Sequence, residues 1–422
     1  MGLWLRRVSG LRAARERLGR LQRRDRVGPT LSDNLKKYAG PLYAFYYGGQ
    51  FILLGIQLPF FAGWLALNGF DASEIGLITG AALIARLLFG PLVAFWADHQ
   101  TDERRALRAV TFLFALGAGG LLIAPTKILI GASAALVIWT FGLLVPLTDT
   151  AVLRADRNGW LHYGQTRAAG SFFFLSTNII GGAILTATGV AAAAPAMACA
   201  ASFAFLMTFL LPAGAGGRGG AKPVSWREAP KLLANPVFLI VLFSAGLTQG
   251  GHAVYYAFSF LRWEQLGYST LVIGCLWATG VIAEIFLLTR ARGLAKRLGP
   301  AKLLALGGAA AALRWTVIAL EPPLPLLFIV QTLHAGTFAC AYLGAIEFLD
   351  RAAPLRLVNT GMTLMSTTGV GAVTGLATVA AGFVWNGAGP APAYLMMAGM
   401  GACAFLAAIL LMRVWDGGRL FD

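Results

Sequence analysis

The sequence predicts an all-α polytopic membrane protein, with twelve transmembrane helices arranged as two pseudo-symmetric six-helix bundles. Three observations lead there. Of 422 residues, 58% are hydrophobic and only 12% charged, about half the charged share of a soluble domain. At ~20 apolar residues per span, that hydrophobic fraction is close to what twelve spans consume. The apolar runs also far exceed the ~10-residue alternating strands of a membrane barrel, and 52 glycines suit helices that approach closely in lipid. Finally, a nine-residue motif recurs at a fixed offset, as a duplicated bundle requires.

Residues 1–40 form a basic N-terminal tail with Leu11, Ala14, Leu18 and Leu21 at helical spacing. The tail lacks the 7–15-residue apolar core of a secretory signal. It reads as a cytoplasmic segment lying on the bilayer; a mitochondrial transit peptide, and with it an organellar membrane, is the alternative. Apolar spans at 41–67, 73–97, 107–125, 128–153, 166–189 and 193–212 make the N-terminal bundle, 41–212. A Gly-rich, basic linker follows at 213–235. Spans at 236–262, 269–290, 302–320, 323–349, 359–385 and 391–412 make the C-terminal bundle, 236–412, and 413–422 is a second cytoplasmic tail.

The net charge of +16, from 34 Lys+Arg against 18 Asp+Glu, needs placing before it is interpreted. Thirty of the 34 basic residues fall in the two tails, the linker and the alternate gaps that share one face with them. Lys127 and Arg262 are the exceptions on the opposite face, and Arg86 and Arg314 lie inside spans. The positive-inside rule then puts both termini in the cytoplasm, for a multi-pass protein of the cell inner membrane. The excess charge is a topology signal and an attraction for anionic lipid, so no nucleic-acid partner is expected.

Cys199, Cys275, Cys340 and Cys403 all fall inside spans without a CxxC pair, which argues against disulfides and a zinc site. No GxxxxGK[ST] loop is present to bind a nucleotide, and His99, His162, His252 and His334 show no HExxH spacing. An enzyme is therefore not expected, nor a metal or other cofactor. A membrane-embedded enzyme and a non-transporting sensor stand as the weaker classes beside a secondary transporter.

The repeat pairs Asn68–Gly76, NGFDASEIG, with Leu266–Gly274, LGYSTLVIG, an offset of 274 − 76 = 198. Carried forward without a gap, the offset sets Arg86 over Glu284 and Asp149 over Glu347. It also superposes spans 1, 2 and 4 on spans 7, 8 and 10. Two bundles related by a parallel repeat ordinarily bind their cargo between them, near the bilayer midplane.

Several stretches resemble the major facilitator superfamily. Ala94–Arg105 is similar to its loop signature after span 2, with Asp98 closing the span and Arg104 and Arg105 following, although the usual glycine after the Asp is missing. Tyr46-Tyr47, Tyr163-Gly164-Gln165-Thr166-Arg167 with Gly170-Ser171, and Leu276-Trp277-Ala278 through Ala283-Glu284 resemble its phenylpropionate-permease branch. So do Leu313-Arg314-Trp315 and Gln331-Thr332-Leu333-His334-Ala335. The likeness runs over roughly 41–412. It extends more distantly to sugar:proton symporters typified by lactose permease, which also use a Glu in span 8, an Arg in span 9 and a His in span 10. The resemblance implies the major facilitator fold, uptake by alternating access, and an aromatic acid as cargo. Nucleoside or sugar:proton symport, or export of a drug or metabolite, is the alternative; this architecture can work as a monomer.

A charge at bilayer depth is costly, so each such residue faces a cavity or a partner. Glu284, Arg314 and His334 form the expected proton-coupling set: a buried carboxylate beside an Arg is a proton switch, and a nearby His titrates near neutral pH. A permanent Glu–Arg pin between spans 8 and 9 is the structural alternative, and for His334 alone it is a helix-to-helix hydrogen bond. Residue counting sets Glu284 and Arg314 about 10 Å apart along the membrane normal. Arg86 is expected to read a cargo carboxylate, or else to snorkel or to pair with a neighbouring helix. Polar stripes at helical spacing, Tyr43, Tyr46, Gln50 and Gln57 on span 1 and Gln249, His252, Tyr256 and Ser259 on span 7, suit a small aromatic or sugar-like cargo. With Gln331, they supply the substrate-binding candidates. Interhelical hydrogen bonding is the alternative for some, and an interfacial aromatic belt for Tyr43. Asp98, Asp149, Arg154, Arg167 and Glu347 are the expected cytoplasmic gate, with simple solvated helix ends the alternative for Asp149 and Glu347.

Overall fold

The computed structural model describes residues 31–100, 102–213 and 229–421. The N-terminal tail through residue 30, and with it the transit-peptide alternative, lies outside the described residues, as do linker residues 214–228. Twelve helices are long and apolar enough to cross a membrane: α1 Ala39–Leu67, α2 Ala72–Asp98, α3 Glu103–Ile123, α4 Lys127–Arg157, α5 Tyr163–Thr188 and α6 Val190–Met207 precede the linker. The others are α7 Pro236–Gln265, α8 Thr270–Leu288, α9 Gly293–Ala319, α10 Leu324–Ala352, α11 Leu357–Ala388 and α12 Pro390–Val414.

Most boundaries fall within a few residues of the apolar runs. The start of α9 is the large departure, and Gly299 explains it. Its backbone sits at φ 71° and ψ 170°, a conformation open to glycine and strained for other residues. The helix is broken there, so the basic stretch before it is separate from the apolar stretch that begins at Pro300. Span 7 is also interrupted: it runs as Pro236–Gly250 and Ala253–Gln265, with Gly251 and His252 between. Within α10 and α11, Ala335–Cys340 and Met365–Ala372 wind as π-helix, a geometry that often marks functional sites.

The two halves pack by the same scheme. In the first, α1 lies against α5 and α6, α3 against α4 and α6, and α2 against α4; in the second, α7 lies against α11 and α12, α9 against α10 and α12, and α8 against α10. The repeated motif does the same local work in each. Gly69 and Gly267 turn the chain at φ 80° and 81°. Asp71 caps α2 through the Glu74 backbone N–H at 2.9 Å, and Ser269 caps α8 through that of Val272 at 3.3 Å. Gly76 and Gly274 then bring each helix against the other half. A Cβ on Gly76 would stand 2.9 Å from the Thr378 carbonyl oxygen of α11, and one on Gly274 would run into the Asn178 carbonyl oxygen of α5.

These contacts, α2 with α11 and α5 with α8, join the halves at the face opposite the termini. Thr270 Oγ1 reinforces the second one, 2.8 Å from the Gly182 carbonyl oxygen and 2.7 Å from Thr186 Oγ1. At the basic face, α4 and α10 make no extensive contact among the described residues, so the bundle is closed at the far face and more open at the basic one.

Candidate functional site

A cavity of about 260 Å³ lies between the halves. Leu54, Gln57, Phe61 and Leu65 of α1, Thr79, Leu83 and Arg86 of α2, and Phe141 and Gly142 of α4 line one side. Gln249 and Tyr256 of α7, Phe338 of α10, and Gly371, Thr374 and Thr378 of α11 line the other. Both π-helical segments reach this wall through Phe338 and Gly371. The lining is apolar and aromatic with a few polar groups, the usual make-up of a small-molecule site.

Arg86 is the one charged residue among the lining residues. Its guanidinium has neither a hydrogen-bond nor an ion-pair partner among the described residues. The side chain crosses α4 at Gly142, where a Cβ would collide with its Cδ; glycine there makes room for the arm. Thr374 Oγ1 and Gln57 Oε1 are also buried without a partner. Removing a polar group from water without a replacement bond costs free energy, more so for a charge. Arg86, Thr374 and Gln57 thus leave hydrogen-bonding capacity unused around one cavity.

Behind the Gln249–Phe338 wall lies a network within the C-terminal half. Arg314 is fully buried. It donates to Gln331 Oε1 at 2.7 Å, His334 Nδ1 at 3.0 Å and Thr337 Oγ1 at 3.2 Å. Its guanidinium also stacks on Tyr255 and Trp315, with centroid distances of 4.7 and 4.4 Å. His334 Nε2 stands 3.5 Å from Glu284 Oε2. Arginine has no acceptor, so His334 Nδ1 must accept and a neutral ring carries its proton on Nε2, toward Glu284. No carboxylate lies within ion-pair distance of Arg314 among the described residues. The imidazole bridges Glu284 and Arg314.

His252 extends the network at the break in α7. Its Nδ1 donates to the Gln249 carbonyl at 3.0 Å, and its Nε2 is 2.9 Å from Thr337 Oγ1. The ring stacks on Tyr256 at 5.3 Å. Gln249 Nε2 donates to the Phe338 carbonyl at 3.1 Å, tying α7 to the π-turn of α10. Two cavity residues, Gln249 and Phe338, are thus one bond from the buried network.

Of the substrate-binding candidates, Arg86, Gln57, Gln249 and Tyr256 line the cavity. Gln331 and His252 sit in the network behind it. Tyr46 and Gln50 bond inside the N-terminal half, Tyr46 Oη at 2.7 Å from Thr111 Oγ1 and Gln50 Nε2 donating to Thr148 Oγ1 at 3.1 Å. Tyr43 is fully buried with an unpartnered hydroxyl, and Ser259 is buried with an unpartnered hydroxyl.

The gate candidates pair within their own halves. Arg154 reaches Asp98 at 3.6 Å and Glu103 at 3.3 Å. Asp149 accepts from Tyr47 and lies 3.2 Å from Arg167 Nε, whose guanidinium covers Phe51. Glu347 binds Arg351 one turn on, at 2.6 Å. In the loop itself, the Arg104 guanidinium holds the Asp102 carboxyl below its usual range. Such intra-half pairing fits a more open basic face.

Sequence reasoning missed Thr374, Phe338, Thr337, Gly142 and the Tyr255–Trp315 box. Thr337 was within reach, three residues after His334 on the same helix face. Gly142 and Thr374 carry no signal in a chain with this many glycines and apolar neighbours.

A model of the MFS_1-like family matches residues 39–396. The chain belongs to that family. It is 29% identical, over 81% of this chain and 89% of the relative, to the "Probable 3-phenylpropionic acid transporter" of Escherichia coli (strain K12). It is 26% identical, over 81% of this chain and 85% of the relative, to the "Maltose permease" of Geobacillus stearothermophilus. In structure it is similar to the nucleoside transporter NupG, with a TM-score of 0.74 at 17% identity over 90% of this chain and 100% of that one. The expected major facilitator fold is therefore the fold of this chain.

Proposed function

We propose that this protein is a secondary transporter that takes up a small aromatic acid together with a proton by alternating access. The observation that carries the cargo class is Arg86, a guanidinium without a partner among the described residues and the one charge in a largely apolar, aromatic cavity between the halves. An aromatic carboxylate complements both features: its ring packs among Phe61, Phe141, Tyr256 and Phe338 while its charge neutralises Arg86. The volume of about 260 Å³ lies just under the ~300 Å³ at which small-molecule sites ordinarily begin. It suits one ring with a short chain better than a disaccharide. Similarity to the E. coli relative named for 3-phenylpropionic acid supports the same class.

Glu284, His334 and Arg314 supply the coupling. A protonated Glu284 is neutral beside His334; release of the proton leaves a carboxylate that draws an imidazole already held by Arg314. Cargo pressing on Phe338 or Gln249 shifts the π-turn that carries Thr337 and adjoins His334, so cargo and proton bias one element. In the orientation set by the positive-inside rule the more open face is cytoplasmic, and this conformation faces inward.

Binding of 3-phenylpropionate and of its neutral amide to the wild type and to Arg86→Gln tests the cargo class. A charge-assisted hydrogen bond contributes about 1.5–3 kcal/mol, so the acid should weaken by roughly 10- to 100-fold and the amide far less. Equal weakening of both rejects Arg86 as the carboxylate reader.

A further inference from the structure

We infer that the protein holds the acyl chain of an anionic phospholipid in a groove between α7, α11 and α12, on the other side of α11 from the cargo cavity. The groove measures about 710 Å³ and is lined by Leu239 and Phe243 of α7, Gly369 and Val373 of α11, and Cys403 and Leu410 of α12, with no charged residue in its wall. These positions lie in the half of each helix nearer the basic face, because α7 begins there and α12 ends there. The groove follows α12 from Cys403 to Leu410, about 10 Å at 1.5 Å per residue. That is most of one leaflet of a ~30 Å hydrocarbon core. An apolar concavity within that layer meets hydrocarbon tails.

Charge selects the kind of lipid. Leu406, Leu410 and Arg413 follow one another at i, i+4 and i+7, so Arg413 crowns the groove-facing stripe of α12. Arg413 is exposed and has no partner among the described residues. A guanidinium at the headgroup level above a tail-sized groove complements a phosphodiester carrying net negative charge.

The position of the groove gives the site a consequence. The π-helical segment Met365–Ala372 contributes Thr368 and Gly369 to the groove and Val370 and Gly371 to the cargo cavity. Its backbone also meets α7, where a Cβ on Gly246 would stand 2.5 Å from the Gly369 carbonyl oxygen. One irregular turn is the shared wall of both spaces, and a chain packed on one side supports the wall of the other.

Native mass spectrometry of the full-length protein, titrated with phosphatidylglycerol or phosphatidylethanolamine, tests the assignment. Wild type should prefer phosphatidylglycerol by about five-fold, the weight of one basic residue at an anionic surface. Arg413→Gln should abolish the preference while tail binding remains. Ala407→Trp fills the groove and should remove the tightest bound lipid; Cys403→Trp, from another position on the same helix, is the second variant should the first misfold. Leu395→Trp, on an exposed part of α12 outside the groove, should change nothing. Undiminished lipid retention by both groove variants overturns the proposal, as does a wild-type dimer that either of them dissociates, since a second copy would then be the occupant.

Discussion

At the scale of single residues, an imidazole placed between an acid and a base decides how the buried network works. Arg314 cannot pin Glu284 directly, because His334 occupies the space between them. The carboxylate is thus free to exchange its proton without breaking a guanidinium pair. If Glu284 carries the coupling proton, Glu284→Gln should abolish accumulation against a gradient yet retain counterflow exchange, because the neutral amide mimics the protonated acid. Unchanged accumulation would remove Glu284 from that role. Which residues lie buried or in the cavity was readable where polarity stands out against an apolar run: Glu284, Arg314, His334 and Arg86 are conspicuous for that reason. Their pairing was not readable, because an axial gap of about 10 Å counted from helix ends cannot reveal a ring that bridges it. Tyr46 and Gln50 show the converse, since the same stripe pattern serves interhelical bonds as readily as a cavity.

At the scale of the element, the nine-residue repeat encodes a device that is used twice. A left-handed glycine ends one helix, an oxygen side chain caps the next, and a glycine one turn later lets that helix press on the opposite half. The sequence displayed the repeat but not its purpose, because the partners, Asn178 of α5 and Thr378 of α11, lie about 100 and 300 residues away along the chain from their contacting glycines. Gly274→Val should overpack the α5–α8 contact at a cost of about 1–3 kcal/mol. The expected readout is faster labelling, from the far face, of a cysteine placed at residue 271; an unchanged labelling rate would show that this contact is not the seal. The π-turns and the break at His252 had no sequence signature beyond nearby glycines. Gly299 displaced the expected start of α9 in the same way.

At the scale of the whole molecule, composition and charge were sufficient for the architecture. Twelve spans and a duplicated bundle follow from apolar length and one offset, because the bilayer requires every backbone polar group to be satisfied within helices. The placement of charge predicts the orientation, and the prediction is open to a direct check. In a background with the four native cysteines replaced, cysteines near Lys127 and near Arg297 should label from opposite faces; labelling from the same face would break the assigned topology. Inside-out and right-side-out preparations would assign each face.

The central claim is that the two halves move a small aromatic acid by using a proton gradient. Uptake of radiolabelled 3-phenylpropionate into proteoliposomes containing the purified full-length protein measures it directly. Accumulation above the external concentration is expected when an inward proton gradient is imposed, and its collapse to equilibration when a protonophore is added. Accumulation that ignores the gradient, or no uptake of the acid by protein that binds it, would contradict the claim.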